Sequence, residues 1–217
     1  MLKVKTLVKI CGITSIEQAI QIAEFGTNAI GIISVAESPR YISPKKKKEI
    51  FKTLKDLYPN IERVSVVKNI PVESLIKSSL EESNETIIQL HGDENIDYCQ
   101  KLKQKLPNIG LWKAFRIKNR QDLNKIKPFE DFIDAILLDS WNQETYGGSG
   151  KRIEQKYLKE ISFSKPWWIA GGVSSDWIDE ILKSIKPNGI DISSSIEISP
   201  GIKDLEKTKQ IIREINK

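Results

Sequence analysis

Two segments of the sequence place a reactive side chain directly after a short apolar run. Residues 7–10 lead into Cys11 and a glycine turn, and residues 135–138 lead into Asp139. A side chain at the C-terminal end of a strand is held by a rigid element and points into a mouth lined by loops, which suits a catalytic group. We therefore predict that Cys11 and Asp139 face each other across one pocket and carry out acid–base chemistry there.

Each of these two residues also has a simpler explanation. A free cysteine is usually a small buried hydrophobic residue, and an aspartate at a strand end can cap a loop or a helix. A cysteine that acts as a base needs a pKa below the ordinary thiol value of about 8.5, and Lys9, on the same face of the strand, could help to lower it. Asp139 follows four apolar residues, so partial desolvation favours its protonated form and a role as general acid.

The rest of the sequence alternates between short apolar runs and amphipathic patterns with helical spacing. The runs predict strands over residues 7–10, 29–33, 63–67, 86–90, 111–115, 135–138, 167–170 and 189–192. The amphipathic patterns predict helices over residues 15–25, 44–57, 71–79, 96–106, 120–126, 153–161, 177–183 and 204–215. Eight strands alternating with eight helices indicate an α/β fold, a single (β/α)8 TIM barrel domain over residues 1–217.

An open doubly wound sheet would show the same alternation. Such a sheet usually carries its phosphate-binding glycines after the first strand. Here the glycines and serines are densest after the sixth, seventh and eighth strands, which favours the barrel.

In a barrel of this kind all strands end at one face, so the loops after them provide further candidates. Arg40 suits a carboxylate, because its guanidinium fork binds one bidentately; a solvated arginine is the simpler alternative. Gly171 and Gly172 would let backbone amides approach an anion, or they form an ordinary turn. The candidates for substrate binding are Arg40, His91, Gly171, Gly172, Asp191, Ser193 and Ser194.

Composition argues against several classes of protein. The chain has 217 residues, of which 39% are hydrophobic, and a net charge of +5. The lysine run at 45–48 opens an amphipathic pattern and is interpreted as a solvated helix start, because nucleic-acid binding would need aromatic interleaving or a known motif. The N-terminus has no signal-peptide core, and no run reaches the roughly 18 apolar residues of a membrane span. We expect a cytoplasmic protein with neither a nucleic-acid nor a membrane partner.

Seven motifs follow one another along the chain. They are KICGIT at 9–14, SPRYISP at 38–44, QLHGDE at 89–94, LLDS at 137–140, GGSGK at 147–151, AGGV at 170–173, and DISS at 191–194, which continues to IE at 196–197 and SPGIKD at 199–204. Together they resemble the phosphoribosylanthranilate isomerase family of tryptophan biosynthesis. The resemblance runs from near the first residue to the C-terminus.

The resemblance implies an Amadori rearrangement of N-(5'-phosphoribosyl)anthranilate to 1-(2-carboxyphenylamino)-1-deoxyribulose 5-phosphate. It implies that Asp139 is the general acid that opens the ribose ring and that Cys11 is the general base that removes the C2 proton. Because only protons move, neither a metal nor a redox cofactor is required. A zinc site is also not expected, because the spacing of Cys11, Cys99 and the single histidine, His91, matches no zinc-ligand pattern.

The resemblance also implies how a phosphorylated small-molecule substrate is held. Arg40 would bind the anthranilate carboxylate, while Gly171, Gly172 and Ser194 would lie at the phosphate. The GGSGK segment would be an active-site loop whose lysine could reach an anion. Ser195 stands where the family usually has glycine, so its side chain could crowd the phosphate or add a hydroxyl to it.

Two other functions compete with this interpretation. A sister phosphosugar isomerase of the histidine pathway performs the same rearrangement on a different aglycone, but that family has an aspartate on the first strand, where this chain has Cys11. A catalytically silent barrel that binds phosphorylated ligands or a protein would be favoured by loss of a catalytic group, yet Cys11 and Asp139 are both present. We expect the protein to be a monomer.

Overall fold

The computed structural model describes residues 5–81, 84–140, 152–159 and 161–217. Eight parallel strands close into a barrel in chain order, which confirms the predicted (β/α)8 fold; the extent of the domain, residues 1–217, stays a prediction. The barrel strands are β1 (Leu7–Cys11), β2 (Ala29–Ile33), β3 (Glu62–Val67), β4 (Ile87–Leu90), β5 (Gly110–Ile117), β6 (Ala135–Ser140), β7 (Trp167–Ile169) and β8 (Gly189–Ile192).

Helices between the strands begin where the sequence supplies a cap. The Ser43 hydroxyl accepts a hydrogen bond from the amide of Lys46, and Pro44 occupies the first helical turn, where a missing N–H costs nothing. Among the described helices, none is both long and apolar enough to cross a bilayer. The helices are α1 (Ile16–Glu24), α2 (Pro44–Leu57), α3 (Val72–Leu80), α4 (Ile96–Lys105), α5 (Arg120–Leu123), α6 (Gln155–Leu158), α7 (Ser175–Glu180) and α8 (Leu205–Ile215).

Three predicted helices differ from the structure. The fifth ends at Leu123 and a 3-10 helix follows over Lys127–Phe132, because Pro128 in its first turn cannot continue an α-helical ladder. The sixth is a single turn. The seventh begins at Ser175 and passes into a π-helix over Ile181–Ile185, which Lys186 ends with a left-handed backbone, φ 54°.

A short antiparallel hairpin after β8 was not predicted. A 3-10 turn over Ser194–Ile196 leads into β9 (Glu197–Ser199), which pairs with β10 (Ile202–Lys203). The pairing places Glu197 opposite Lys203. The two strands have three and two residues, too few to show the alternation by which strands are recognised.

Side-chain alternation divides the barrel into an inner and an outer packing layer. The outward faces, rich in isoleucine and leucine, pack beneath the helices. Inside, Trp112 and Trp168 stack with their ring centroids 4.7 Å apart, next to small residues such as Ala29 and Ala135. Gly189 is buried directly against the Trp168 ring, which a Cβ at this position would overlap. The tryptophans fill the barrel interior only because β8 presents no side chain there.

Replacing Gly189 with alanine is therefore expected to destabilise the fold by about 1–3 kcal/mol, the usual cost of overpacking a close-packed core. Urea unfolding followed by circular dichroism measures the difference. Gly110→Ala is the matched control, since a Cβ there would lie 3.1 Å from a flexible Ile87 methylene. Equal losses in the two variants would contradict the packing argument.

Candidate active site

The carboxyl ends of the barrel strands surround a cavity of about 450 Å³, a volume typical of small-molecule sites. Every predicted site residue lines this cavity, and the structure therefore brings together side chains from both ends of the sequence. The GGSGK segment at 147–151 lies outside the described residues. The predicted residues at the cavity are Cys11, Arg40, His91, Asp139, Gly171, Gly172, Asp191, Ser193 and Ser194.

Asp139 lies near the end of β6 and contacts the imidazole ring of His91. The Nε2 atom of His91 lies 3.1 Å from Oδ2 of Asp139, and the side-chain amide nitrogen of Gln89 lies 3.0 Å from Nδ1 of the same ring. Gln89, His91 and Asp139 therefore form a chain of three contacting side chains in the cavity wall.

The other carboxyl group inside the cavity, Asp191, forms a buried ion pair. Its Oδ2 lies 2.7 Å from Nζ of Lys9, whose side chain is fully buried. Burial alone would lower the pKa of Lys9, but the Asp191 carboxylate and the Cys11 side chain together outweigh burial and raise it. Lys9 therefore stays protonated. The second oxygen of Asp191, Oδ1, is buried and has no hydrogen-bond partner among the described residues.

Cys11 does not have the lowered pKa that was expected. Burial raises the pKa of the thiol, and although Lys9 and Lys203 oppose this rise, the Asp191 carboxylate adds to it. The expected help from Lys9 is present, but Asp191 neutralises much of the lysine charge. In the ligand-free protein Cys11 is therefore a neutral thiol at physiological pH.

Space for the Cys11 side chain comes from a glycine on the neighbouring strand. A Cβ at Gly31, which pairs with Cys11 across β1 and β2, would lie 2.7 Å from the sulfur and 3.1 Å from Cε of Lys9. Any other residue would push both side chains aside. Sequence reasoning missed Gly31, because a glycine inside an apolar run carries no signal of what approaches it.

The loop after β7 forms the corner predicted for an anion. Gly171 and Gly172 adopt positive φ angles of 80° and 63°, a backbone that residues with a Cβ rarely adopt. A Cβ at Gly171 would also overlap Ser140. Ser193 donates a hydrogen bond from its hydroxyl to the carbonyl of Cys11 at 3.1 Å, which ties the end of β8 to the end of β1.

The Ser195 side chain was expected either to crowd the phosphate or to offer it a hydroxyl, but it is engaged elsewhere. Its hydroxyl donates a short hydrogen bond to the carbonyl oxygen of Val173. The side chain therefore joins the 3-10 turn after β8 to the loop after β7.

Arg40 reaches the cavity from the loop after β2, but one edge of its guanidinium is already occupied. Nε and Nη2 donate to the two carboxylate oxygens of Glu197, with the shortest contact at 2.6 Å. The stem of Arg40 crosses the turn after β1, where a Cβ on Gly12 would lie 2.7 Å from Cδ of Arg40. Glu197 is a second residue that sequence reasoning missed, although it lies within one of the recognised motifs.

Comparison with known proteins gives one consistent family. The family model described as N-(5'phosphoribosyl)anthranilate (PRA) isomerase matches residues 8–214. The N-(5'-phosphoribosyl)anthranilate isomerase of Acaryochloris marina is 38% identical over 212 residues, which cover 96% of this chain and 97% of that protein.

Solved structures of the same family have the same fold. A phosphoribosyl anthranilate isomerase in complex with reduced 1-(o-carboxyphenylamino)-1-deoxyribulose 5-phosphate superposes with a TM-score of 0.80 at 28% identity, over 97% of this chain and 98% of that one. Monomers generated from the dimeric enzyme of Thermotoga maritima give a TM-score of 0.79 at 28% identity, with the same coverage.

The raised pKa of Cys11 predicts how its reactivity changes with pH. In Cys99→Ala protein, the rate of alkylation of Cys11 by iodoacetamide should rise about tenfold per pH unit from pH 7 to 9 without a plateau, because only the thiolate reacts. Removing Cys99 leaves Cys11 as the only thiol that can be alkylated. Cys99 itself would react slowly, because burial raises its pKa to about 11. A plateau below pH 8 would contradict the effect assigned to burial.

Proposed function

Because the chain belongs to the N-(5'-phosphoribosyl)anthranilate isomerase family of tryptophan biosynthesis, we propose that Asp139 and Cys11 carry out the two proton transfers of this isomerisation. One observation carries the proposal: both side chains line the same cavity, from the carboxyl-terminal parts of two different barrel strands, β6 and β1. A carboxylic acid and a thiolate are the groups that this sequence of transfers needs.

The first transfer opens the ribose ring. Asp139 gives its proton to the ring oxygen, the bond between that oxygen and C1 breaks, and the aniline nitrogen forms an iminium with C1. Asp191 is less suited to this step, because its Oδ2 lies 2.7 Å from the ammonium of Lys9, which opposes the rise in pKa that burial gives this carboxyl group. Asp139 has no ammonium or guanidinium partner among the described residues; its Oδ2 lies 3.1 Å from Nε2 of His91, and in this proposal the carboxyl group carries the proton that opens the ring.

The second transfer rearranges the open chain. The Cys11 thiol first releases its proton to water; the resulting thiolate then removes the proton from C2, and the electron pair of that C–H bond moves to give an enolamine. The enolamine then takes a proton at C1 and releases the proton of its C2 hydroxyl, which gives the ketone. No atom is gained or lost over the whole reaction.

The remaining side chains of the cavity would bind the ends and the middle of the substrate. Arg40 holds the anthranilate carboxylate through its free donors, and the phosphate lies against the amides of Gly171, Gly172 and Ser194. The unpartnered oxygen of Asp191 is placed to accept a hydrogen bond from a sugar hydroxyl. His91 lines the mouth beside Asp139 and keeps it oriented.

Neither competing function gains support from a described feature of the site. A silent barrel would be expected to lack a catalytic group, and the histidine-pathway isomerase would be expected to lack Cys11. The predicted monomer stays a prediction; the Thermotoga maritima relative is described as dimeric.

Replacing either proton-transfer group should remove most of the activity without unfolding the barrel. Cys11→Ala and Asp139→Asn should each lower kcat at least about a hundredfold, since a positioned acid or base contributes roughly 10²- to 10⁴-fold. The measurement is the decay of phosphoribosyl anthranilate fluorescence, with the substrate made in situ and no metal added.

Matched controls come from the same residue types elsewhere in the chain. Cys99→Ala lies in α4, and Asp56→Asn removes an exposed carboxylate that pairs with Lys52; both should keep wild-type kcat. Near-normal turnover in Cys11→Ala or Asp139→Asn would refute the role assigned to that residue.

The Ser195 hydrogen bond should matter for phosphate binding. Ser195→Ala removes the link to Val173, so the two loops at the phosphate lose an ordering contact of about 1 kcal/mol, which corresponds to about a fivefold change in affinity. KM should rise by about that factor with kcat unchanged, and inorganic phosphate should become a weaker competitive inhibitor to the same extent. A lower KM would instead favour crowding of the phosphate by the hydroxyl.

A further inference from the structure

Arg40 is held in one orientation by a partner from a distant part of the chain. Its Nε lies 2.8 Å from Oε1 of Glu197, and its Nη2 lies 2.6 Å from Oε2. This is the two-bond fork geometry that fixes both the position and the plane of a guanidinium. The Glu197 side chain is 5% exposed and that of Arg40 is 14% exposed, so water competes little for these bonds.

Glu197 is itself fixed by the β9–β10 hairpin. Nζ of Lys203 lies 2.7 Å from Oε1 of Glu197, and the backbone amide of Gly201 donates to the same oxygen at 3.2 Å. The Lys203 ammonium also donates to the carbonyl of Ser193 at 3.1 Å. The carboxylate therefore has little freedom to follow Arg40 if the arginine moves.

The charges of this cluster do not cancel. Arg40 and Lys203 carry two positive charges, and Glu197 carries one negative charge. Lys203 is fully buried and faces Glu197 and the Ser193 carbonyl, whereas Arg40 lines the cavity. One surplus positive charge is therefore presented to the cavity, at the Nη1 side of Arg40, which Glu197 does not bind.

We propose that Glu197 is a positioning residue that aims the Nη1 side of Arg40 at a carboxylate on the substrate and so makes the site specific for a carboxylated aryl amine. The proposal rests on the proposed role of Arg40. The β9–β10 hairpin has, on this view, a function in substrate selection. Gly12 supports the geometry, because its missing Cβ leaves the path along which the Arg40 stem reaches the cavity.

The test compares two inhibitors that differ in one group. The first is reduced 1-(o-carboxyphenylamino)-1-deoxyribulose 5-phosphate, and the second is the same compound with a phenyl ring that lacks the carboxyl group. Inhibition constants are measured for the wild type, Glu197→Gln and Arg40→Leu. Glu197→Gln should weaken the carboxylated inhibitor about tenfold, as expected for loss of a charge-assisted contact, and should change the other inhibitor less than about twofold, within the error of additivity.

A merely structural role gives a different pattern. If Glu197→Gln weakens both inhibitors equally, the residue supports the fold of the site and the proposal is wrong. If Arg40→Leu weakens both inhibitors equally, the proposed role of Arg40 is wrong as well. If Arg40→Leu weakens mainly the carboxylated inhibitor but Glu197→Gln does not, only the positioning role of Glu197 fails.

A double variant covers the case in which Glu197→Gln leaves Lys203 buried without its counter-charge and does not fold. Glu197→Gln/Lys203→Met removes both members of that pair and keeps the net charge of the cluster at one positive. If positioning matters, the carboxylated inhibitor should still bind about tenfold more weakly than to the wild type. Wild-type affinity in the double variant would show that the surplus charge alone suffices, which would overturn the proposal.

Discussion

The ion pair between Lys9 and Asp191 lies at the point where the barrel closes. These residues are partners in the register of β1 with β8, and their side chains meet inside the barrel at 2.7 Å. Removing one member of such a pair leaves a buried charge without compensation, at a cost of about 3–5 kcal/mol. A shift of one residue in this register would turn one of the charges outward. The pair therefore makes the closed barrel and the electrostatics of the cavity depend on each other.

Side-chain size then decides where chemistry can take place. Deep in the barrel, Trp112 and Trp168 fill the interior against Gly189, whereas at the carboxyl ends the strands present small or polar residues. Gly31 leaves room for Cys11, and Gly171 after β7 leaves room beside Asp139. The same close packing that closes the lower part of the barrel thus leaves an open cavity above it, with Cys11 and Asp139 in its walls.

The sequence predicts what depends on local pattern and misses what depends on distant contacts. The bounds of β2, α2 and β8 were predicted as observed, because apolar runs and caps are local signals. The residues at the strand ends meet because a parallel barrel brings all ends to one face. The bond between Arg40 and Glu197 joins residues 157 positions apart, and no local pattern announces it. The raised pKa of Cys11 was also missed, because burial, its largest cause, and the Asp191 carboxylate both depend on contacts between elements distant in sequence.

The neutral state of Cys11 in the free protein gives the proposed mechanism an order. Burial and Asp191 raise the pKa of the thiol, so the resting site holds little thiolate and an early attack on C2 is disfavoured. In the proposed mechanism, ring opening by Asp139 gives an iminium whose positive charge lies next to C2. This charge acidifies the C2 proton and favours the thiolate nearby by the same Coulomb attraction that Lys9 exerts. The proposed base would then become effective only after the proposed acid has acted. A permanently ionised group in place of Cys11 would lack this control, which gives a physical reason for a buried thiol at the end of β1.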